Sequence, residues 1–113
     1  MKIIFFGTGE FSTTVLKGLV EAGRNVVAVV TQPDKVNARN NKVIFSSIKQ
    51  YCLENNIAIH QFAKLNLEGE EILKSYNPDI FVTASYGQII KKHILDIPKN
   101  TTVHINCTIF RYI

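Results

Sequence analysis

Three hydrophobic runs, each closed by a turn, predict a doubly wound α/β fold with a mainly parallel sheet. Ile3-Ile4-Phe5-Phe6 is wholly apolar and stops at Gly7-Thr8-Gly9. Val26-Val27-Ala28-Val29-Val30 is β-branched apart from Ala28, and Ile80-Phe81-Val82-Thr83-Ala84 ends at Ser85-Tyr86-Gly87. Continuous apolar runs of this length suit strands covered on both faces, as parallel strands are. Helix-spaced apolar residues (Phe11, Val15, Leu16, Leu19, Val20) separate the first two runs and make a βαβ unit with a right-handed crossover. Ligands of open α/β sheets lie beyond the carboxyl ends of the strands, so Gly7 and Gly9 would line a crevice. Glycines also make tight strand-to-helix turns with no ligand present, and the turn alone leaves both readings open.

The length of 113 residues suits one domain at the small end of what a sheet between two helical layers needs. No segment approaches the roughly 20 continuous apolar residues of a membrane span. Lys2 is followed by only four apolar residues before the glycine turn, which is not a secretory pattern. Cys52 and Cys107 cannot make a disulfide framework and match no zinc spacing. A cytoplasmic chain is expected. The net charge of +4 reads as a solubility feature rather than a nucleic-acid signature, so its local distribution matters more than its sum.

In chain order, the first helix is expected from about Phe11 to Glu21, with Gly23 as its left-handed C-cap. Ser12, Thr13 and Thr14 crowd its first turn, where hydroxyls can satisfy free backbone amides. The second strand covers Asn25 to Val30. Gln32 to Lys42 reads as a loop, with Lys35, Arg39 and Lys42 set against Asp34. Three cations there suit phosphate contact by charge; a solvated surface loop is the plainer alternative. Ile44, Phe45, Ile48, Tyr51, Cys52 and Leu53 mark a second amphipathic helix closed by Asn55-Asn56, with Cys52 as a small buried residue. Ile57 to Gln61 is a short edge strand, with His60 exposed at its end and without a partner. Leu67 to Tyr76 is a third helix, whose Glu68, Glu70 and Glu71 favour the dipole. After the third long strand, Tyr86 could stack on a flat ring and Gly87 would leave backbone groups open to a ligand. Ile89 to Leu95 is a short helix, and Thr101 to Asn106 a final strand.

A dinucleotide site is the weaker reading of the glycine turn. Ser12 replaces the third glycine of the fingerprint, and the charge of Glu10 opposes a pyrophosphate at the helix N-terminus. Asp34 stands where a ribose-binding acid could, but beyond Pro33, so NAD is the runner-up.

Several stretches together resemble the amino-terminal part of the methionyl-tRNA formyltransferase family. They are Phe6-Gly7-Thr8 with Phe11-Ser12, then Val30-Thr31-Gln32-Pro33-Asp34-Lys35 with Arg39 and Lys42. Ala84-Ser85-Tyr86-Gly87-Gln88-Ile89-Ile90 and Ile94-Leu95-Asp96-Ile97-Pro98 complete the set. The resemblance implies a Rossmann-like formyltransferase fold and 10-formyltetrahydrofolate as co-substrate. It further implies transfer of the formyl group to the amino group of initiator methionyl-tRNA. By that similarity Tyr86, Gly87, Gln88 and Ile89 would line the folate pocket, while Lys35, Arg39 and Lys42 would approach the tRNA acceptor end.

Amine attack on a formyl carbonyl develops charge on oxygen and requires loss of a proton, so it needs aimed donors and a base. The family supplies an Asn and a His two residues apart at the end of the final strand, an Asp later in the chain and a Ser-Leu-Leu-Pro loop. Here the Asn position holds His104 and the His position holds Asn106. Thr108, Ile109 and Phe110 stand for Ser-Leu-Leu in the folate loop, and Arg111 stands where the proline would fix φ. The glycines of the basic loop are absent.

The stop after Ile113 is expected to make this a truncated single domain without the Asp segment or the carboxy-terminal tRNA-binding domain. Other readings are a half-enzyme completed by a second polypeptide, a sugar formyltransferase fragment, or a small nucleotide- or folate-binding module without catalysis. An exposed apolar patch beside Val103 and Ile105, with self-association, is expected in each case.

Overall fold

The computed structural model describes residues 1–36 and 39–105, with residues 35, 36 and 44 described through their backbone. The chain runs β1 (Lys2–Gly7), α1 (Glu10–Glu21), β2 (Asn25–Thr31), β3 (Lys35–Val36), β4 (Val43–Ile44) and α2 (Ser47–Glu54). It continues through β5 (Ala58–Gln61), α3 (Leu67–Ser75), β6 (Ile80–Ala84), α4 (Lys92–Leu95) and β7 (Thr101–Ile105). The main sheet has five strands in the order β5-β2-β1-β6-β7. Every pair in it is parallel, and Phe5 of β1 stands opposite Val29 of β2 and Val82 of β6. The chain winds outward from β1 through β2 and β5, then returns to lay β6 on the other side of β1. This reversal puts the topological switch point at the carboxyl ends of β1 and β6, where open α/β sheets bind their ligands.

Strand alternation sorts the apolar side chains onto two faces. Ile3, Phe5, Val29 and Val82 pack under Leu16 of α1 and Ile48 and Cys52 of α2. Ile4, Phe6, Ala28, Val30 and Phe81 pack under Leu73 of α3 and Ile94 of α4. Nearly all of these are fully buried, so the sheet is covered on both sides as its continuous apolar runs require. On the edge strand β7 cover is thinner: Val103 is exposed, while Ile105 is half-buried against the first face.

Helix ends follow local chemistry. Gly23 and Arg24 donate their amides to the Val20 and Leu19 carbonyls, both at 3.0 Å, which closes α1 in the expected C-terminal motif. Of the first-turn hydroxyls only Ser12 accepts an amide; Thr13 and Thr14 donate back to the Gly9 and Glu10 carbonyls. Ser46 accepts from the Lys49 amide and starts α2 late, leaving Ile44 in β4 and Phe45 exposed between them.

Two other expectations are corrected. The segment read as a loop carries a two-residue antiparallel ribbon, with Lys35 opposite Ile44 and Val36 opposite Val43. The helix expected from Ile89 shrinks to α4: Lys91 is extended at its N-cap, and the β-branched Ile89 stands in solvent at 92% exposure. The final strand is described as far as Ile105, and Asn106 lies outside the described residues.

Candidate functional site

The crevice at the carboxyl edge contains a cavity of about 680 Å3, within the range of small-molecule sites. Four chain segments wall it: Thr8 to Glu10 in the β1–α1 turn, Gln32 to Asp34 after β2, Ser46-Ser47 at the start of α2, and Ser85 to Gly87 after β6.

The turn is compact because Gly7 has no side chain. A Cβ there would lie 2.6 Å from Ser12 Cβ and 2.8 Å from the Ala84 carbonyl oxygen. Into that space Ser12 places its hydroxyl, which accepts from the Thr8 amide at 3.0 Å and donates to the Ala84 carbonyl. The serine that spoils the dinucleotide fingerprint thus bolts the β1–α1 turn to β6. Thr8 is the hub of the crevice floor. Its hydroxyl donates to the Tyr86 carbonyl at 3.0 Å and accepts from the Gln32 amide at 3.2 Å, while its own amide reaches the Ser85 carbonyl.

Asp34 is not available as a ribose acid. Lys49 of α2 donates to it at 2.5 Å and Gln61 of β5 at 2.7 Å. The Lys49 hydrogen bond, helped by Gln61 and by the cation's charge, holds the Asp34 carboxyl below the usual carboxylate range against the opposing effect of burial. Lys49 also lies 4.0 Å over the Phe45 ring.

The folate-segment residues divide. Tyr86 and Gly87 border the cavity, and Gln88 donates to the Gln32 side chain and to the Phe62 carbonyl, both at 2.8 Å. The Tyr86 ring does not present a face for stacking. It is buried edge-on against Phe6 at 5.4 Å, and burial pushes its phenol up to about 12. Among the described residues its hydroxyl has no hydrogen-bond partner. Ile89 points to solvent and does not line the cavity. Thr108, Ile109, Phe110 and Arg111 lie outside the described residues.

His104 sits on β7, in register with Thr83, with Nδ1 2.6 Å from the Thr83 hydroxyl and away from the cavity wall. Its intended partner Asn106 is outside the described residues. Lys35 lies in β3 and is described through its backbone, while Arg39 and Lys42 are exposed and do not border the cavity. His60, expected to be exposed and alone, is half-buried: Nε2 is 2.7 Å from the Tyr76 hydroxyl and its ring stacks on Phe62. Burial lowers its pKa, and the same effect raises the Cys52 thiol to about 11, consistent with an inert core residue. No helix among the described residues is long and apolar enough to cross a membrane.

Reading the sequence missed Thr8, Gln32, Ser46, Ser47 and Lys49 as parts of this site. Thr8 and Gln32 carried signals, the first by lying between Gly7 and Gly9 and the second by ending a strand beside the flagged Pro33-Asp34; the others are brought to the crevice by topology alone.

A parallel sheet with a ligand-sized cavity at its switch point defines an α/β small-molecule-binding domain. The sequence matches the model of the formyl transferase family over residues 1–108, and the chain belongs to that family. It is 39% identical over 111 residues to a methionyl-tRNA formyltransferase from Sulfurihydrogenibium sp. (strain YO3AOP1), covering 96% of this chain and 36% of that protein. A methionyl-tRNA formyltransferase from Ruminiclostridium cellulolyticum is 42% identical over 107 residues, covering 94% and 34%. One from Clostridium novyi is 41% identical over 111 residues, covering 96% and 36%. The chain therefore spans about a third of the length of these curated relatives, and matches their amino-terminal part. Family membership implies a formyl donor of folate type.

Proposed function

We propose that this chain is the donor-binding part of a methionyl-tRNA formyltransferase, holding 10-formyltetrahydrofolate in the crevice beyond β1, β2 and β6. The observation that carries the reading is the cavity at the switch point of a chain that matches this family over residues 1–108. Its volume suits a folate-sized ligand, and its few fixed polar groups, from Thr8, Gln32 and the segment after β6, suit orientation of a heterocycle. In the cytoplasm the acceptor would be initiator methionyl-tRNA, approached by Lys35, Arg39 and Lys42 through its phosphates. Attack by the methionyl amine on the formyl carbonyl would need His104 and Asn106, with Thr108, Ile109, Phe110 and Arg111 closing over the donor. The reversed order of that pair makes a binding role without turnover the reading for this chain by itself.

Calorimetric titration tests this. A non-hydrolysable 10-formylfolate analogue should bind with one-to-one stoichiometry and tRNA should bind in a salt-dependent manner, whereas NAD should not bind. Binding of NAD in place of the folate analogue would move the chain to the dinucleotide reading.

A further inference from the structure

The four residues Ser85 to Gln88 are held in an unusual conformation from several directions. Ser85 has φ of 52° and Gly87 has φ of 92°, so two left-handed residues bracket Tyr86. For a serine this conformation is costly, and such strain persists only where neighbours enforce it. The Tyr86 ring anchors the segment in the second core, and Thr8 fixes both the Ser85 and Tyr86 carbonyls. The remaining restraint is Gln32. Its Oε1 accepts from Gln88 Nε2 at 2.8 Å, and its side chain lies against Gly87, where an added Cβ would stand 2.9 Å from Nε2. One residue further on, the Ile89 side chain is 92% exposed, and the next core contact is made by Ile90.

We propose that Gln32 is the positioning residue for the donor-binding segment, acting through the Gln88 amide. This rests on the donor-binding reading of the crevice. Gln88 donates to both Gln32 Oε1 and the Phe62 carbonyl, which uses both hydrogens of its amide. Gln88 is thereby tied on both sides, and the restraint is passed to Ser85, Tyr86 and Gly87, the part of the segment that borders the cavity. Gln32 is in turn fixed at its backbone, its amide by Thr8 and its carbonyl by Gln61. A cavity wall held in place before the ligand arrives loses no conformational freedom on binding, which is where such a positioning residue raises affinity.

The test compares the parent chain with Gln32→Leu, which cannot accept from Gln88, and Gln32→Glu, which can. Backbone amide exchange and affinity for a 10-formylfolate analogue are the two readouts. Gln32→Leu should speed exchange at Gly87 and Gln88 about tenfold without changing exchange in β1 and β6, and should weaken the analogue about tenfold. Gln32→Glu should restore both, which a loss of bulk packing would not do. Exchange and affinity unchanged in Gln32→Leu, or equal losses in the two variants, would overturn the proposal. If Gln32→Leu does not fold, Gln88→Leu breaks the same bond from the exposed side and must show the same local exchange signature. Absence of analogue binding by the parent would sink the donor reading, while the exchange readout would still decide whether Gln32 positions the segment.

Discussion

The Lys49 ammonium lies 2.5 Å from the Asp34 carboxylate, and through this contact α2 is tied to the chain leaving β2. Both side chains are mostly covered, at 14% and 20% exposure, and Gln61 completes the carboxylate's bonds. Replacing Lys49 by Met should lower stability by at most about 1 kcal/mol, since one side of the pair still meets water. The pH dependence has a definite sign. The folded Asp34 pKa is depressed below the ordinary 3.8, so its contribution is complete above about that pH and is lost as pH falls through the folded value. Urea melts between pH 2 and 6 should show Asp34→Asn less sensitive to acid than the parent. An acid limb of equal steepness in both would mean that the pair does not stabilise the fold.

Ser12 offers a sharper test of the turn. Substituting the glycine that a dinucleotide fingerprint would carry should destabilise the chain by about 2–3 kcal/mol. About 0.5 kcal/mol comes from the lower helix propensity of Gly than of Ser, and the rest from leaving the Thr8 amide and Ala84 carbonyl without the buried hydroxyl. A melt of Ser12→Gly within 0.5 kcal/mol of the parent, roughly the effect of an ordinary surface change, would show that the hydroxyl contributes little.

These two residues show what was legible in the sequence. Long apolar runs such as Ile3 to Phe6 carry their fold in their own pattern, because a strand buried on both faces has no polar face to show. The parallel pairing of β1 with β6 followed from that pattern and from the crossover rule. Short elements gave no such signal: β3 and β4 are two residues each, and Ser46 rather than the apolar spacing set the start of α2. In the site, glycines and the Tyr86 segment were visible as turn chemistry. Lys49 and Gln61 were not, because nothing local in either stretch says that the sheet will bring both to Asp34. The Tyr86 ring misled for a related reason: an aromatic after a strand can face ligand or core, and here the left-handed Ser85 breaks the alternation, taking Tyr86 off the face of Val82 and Ala84 and into the core beside Phe6.

The basic ribbon gives a quantitative prediction about tRNA. If Lys35, Arg39 and Lys42 neutralise phosphates, changing all three to Ala should weaken binding. It should also reduce the slope of log K against log salt by up to about three charges' worth, roughly 0.7–0.9 per contact. Fluorescence anisotropy with labelled tRNA from 50 to 200 mM salt measures it, over the range where such contacts dominate affinity. Equal slopes for variant and parent would leave the ribbon as a solvated surface feature.

The last prediction is that the 113-residue chain alone does not transfer formyl groups. In an extended strand His104 and Asn106 face the same way, about 6.5–7 Å apart. On such a strand the exchange would keep an imidazole and an amide on one face but swap their places by that distance. Transfer needs reacting atoms held near 3–3.5 Å, and a misplacement of about 1 Å can cost a hundredfold in rate. His104 is moreover engaged through Nδ1 with the Thr83 hydroxyl at 2.6 Å, which orients the ring and leaves Nε2 as the nitrogen that could meet a substrate. An imidazole so placed lies on the β7 edge rather than in the cavity wall, so it is not at hand to take the proton of an amine attacking a donor held there. An assay with 10-formyltetrahydrofolate and methionyl-tRNA should show no turnover by the parent chain above the buffer rate. Turnover by the parent that disappears in His104→Ala would overturn this reading and show that the reversed pair is competent.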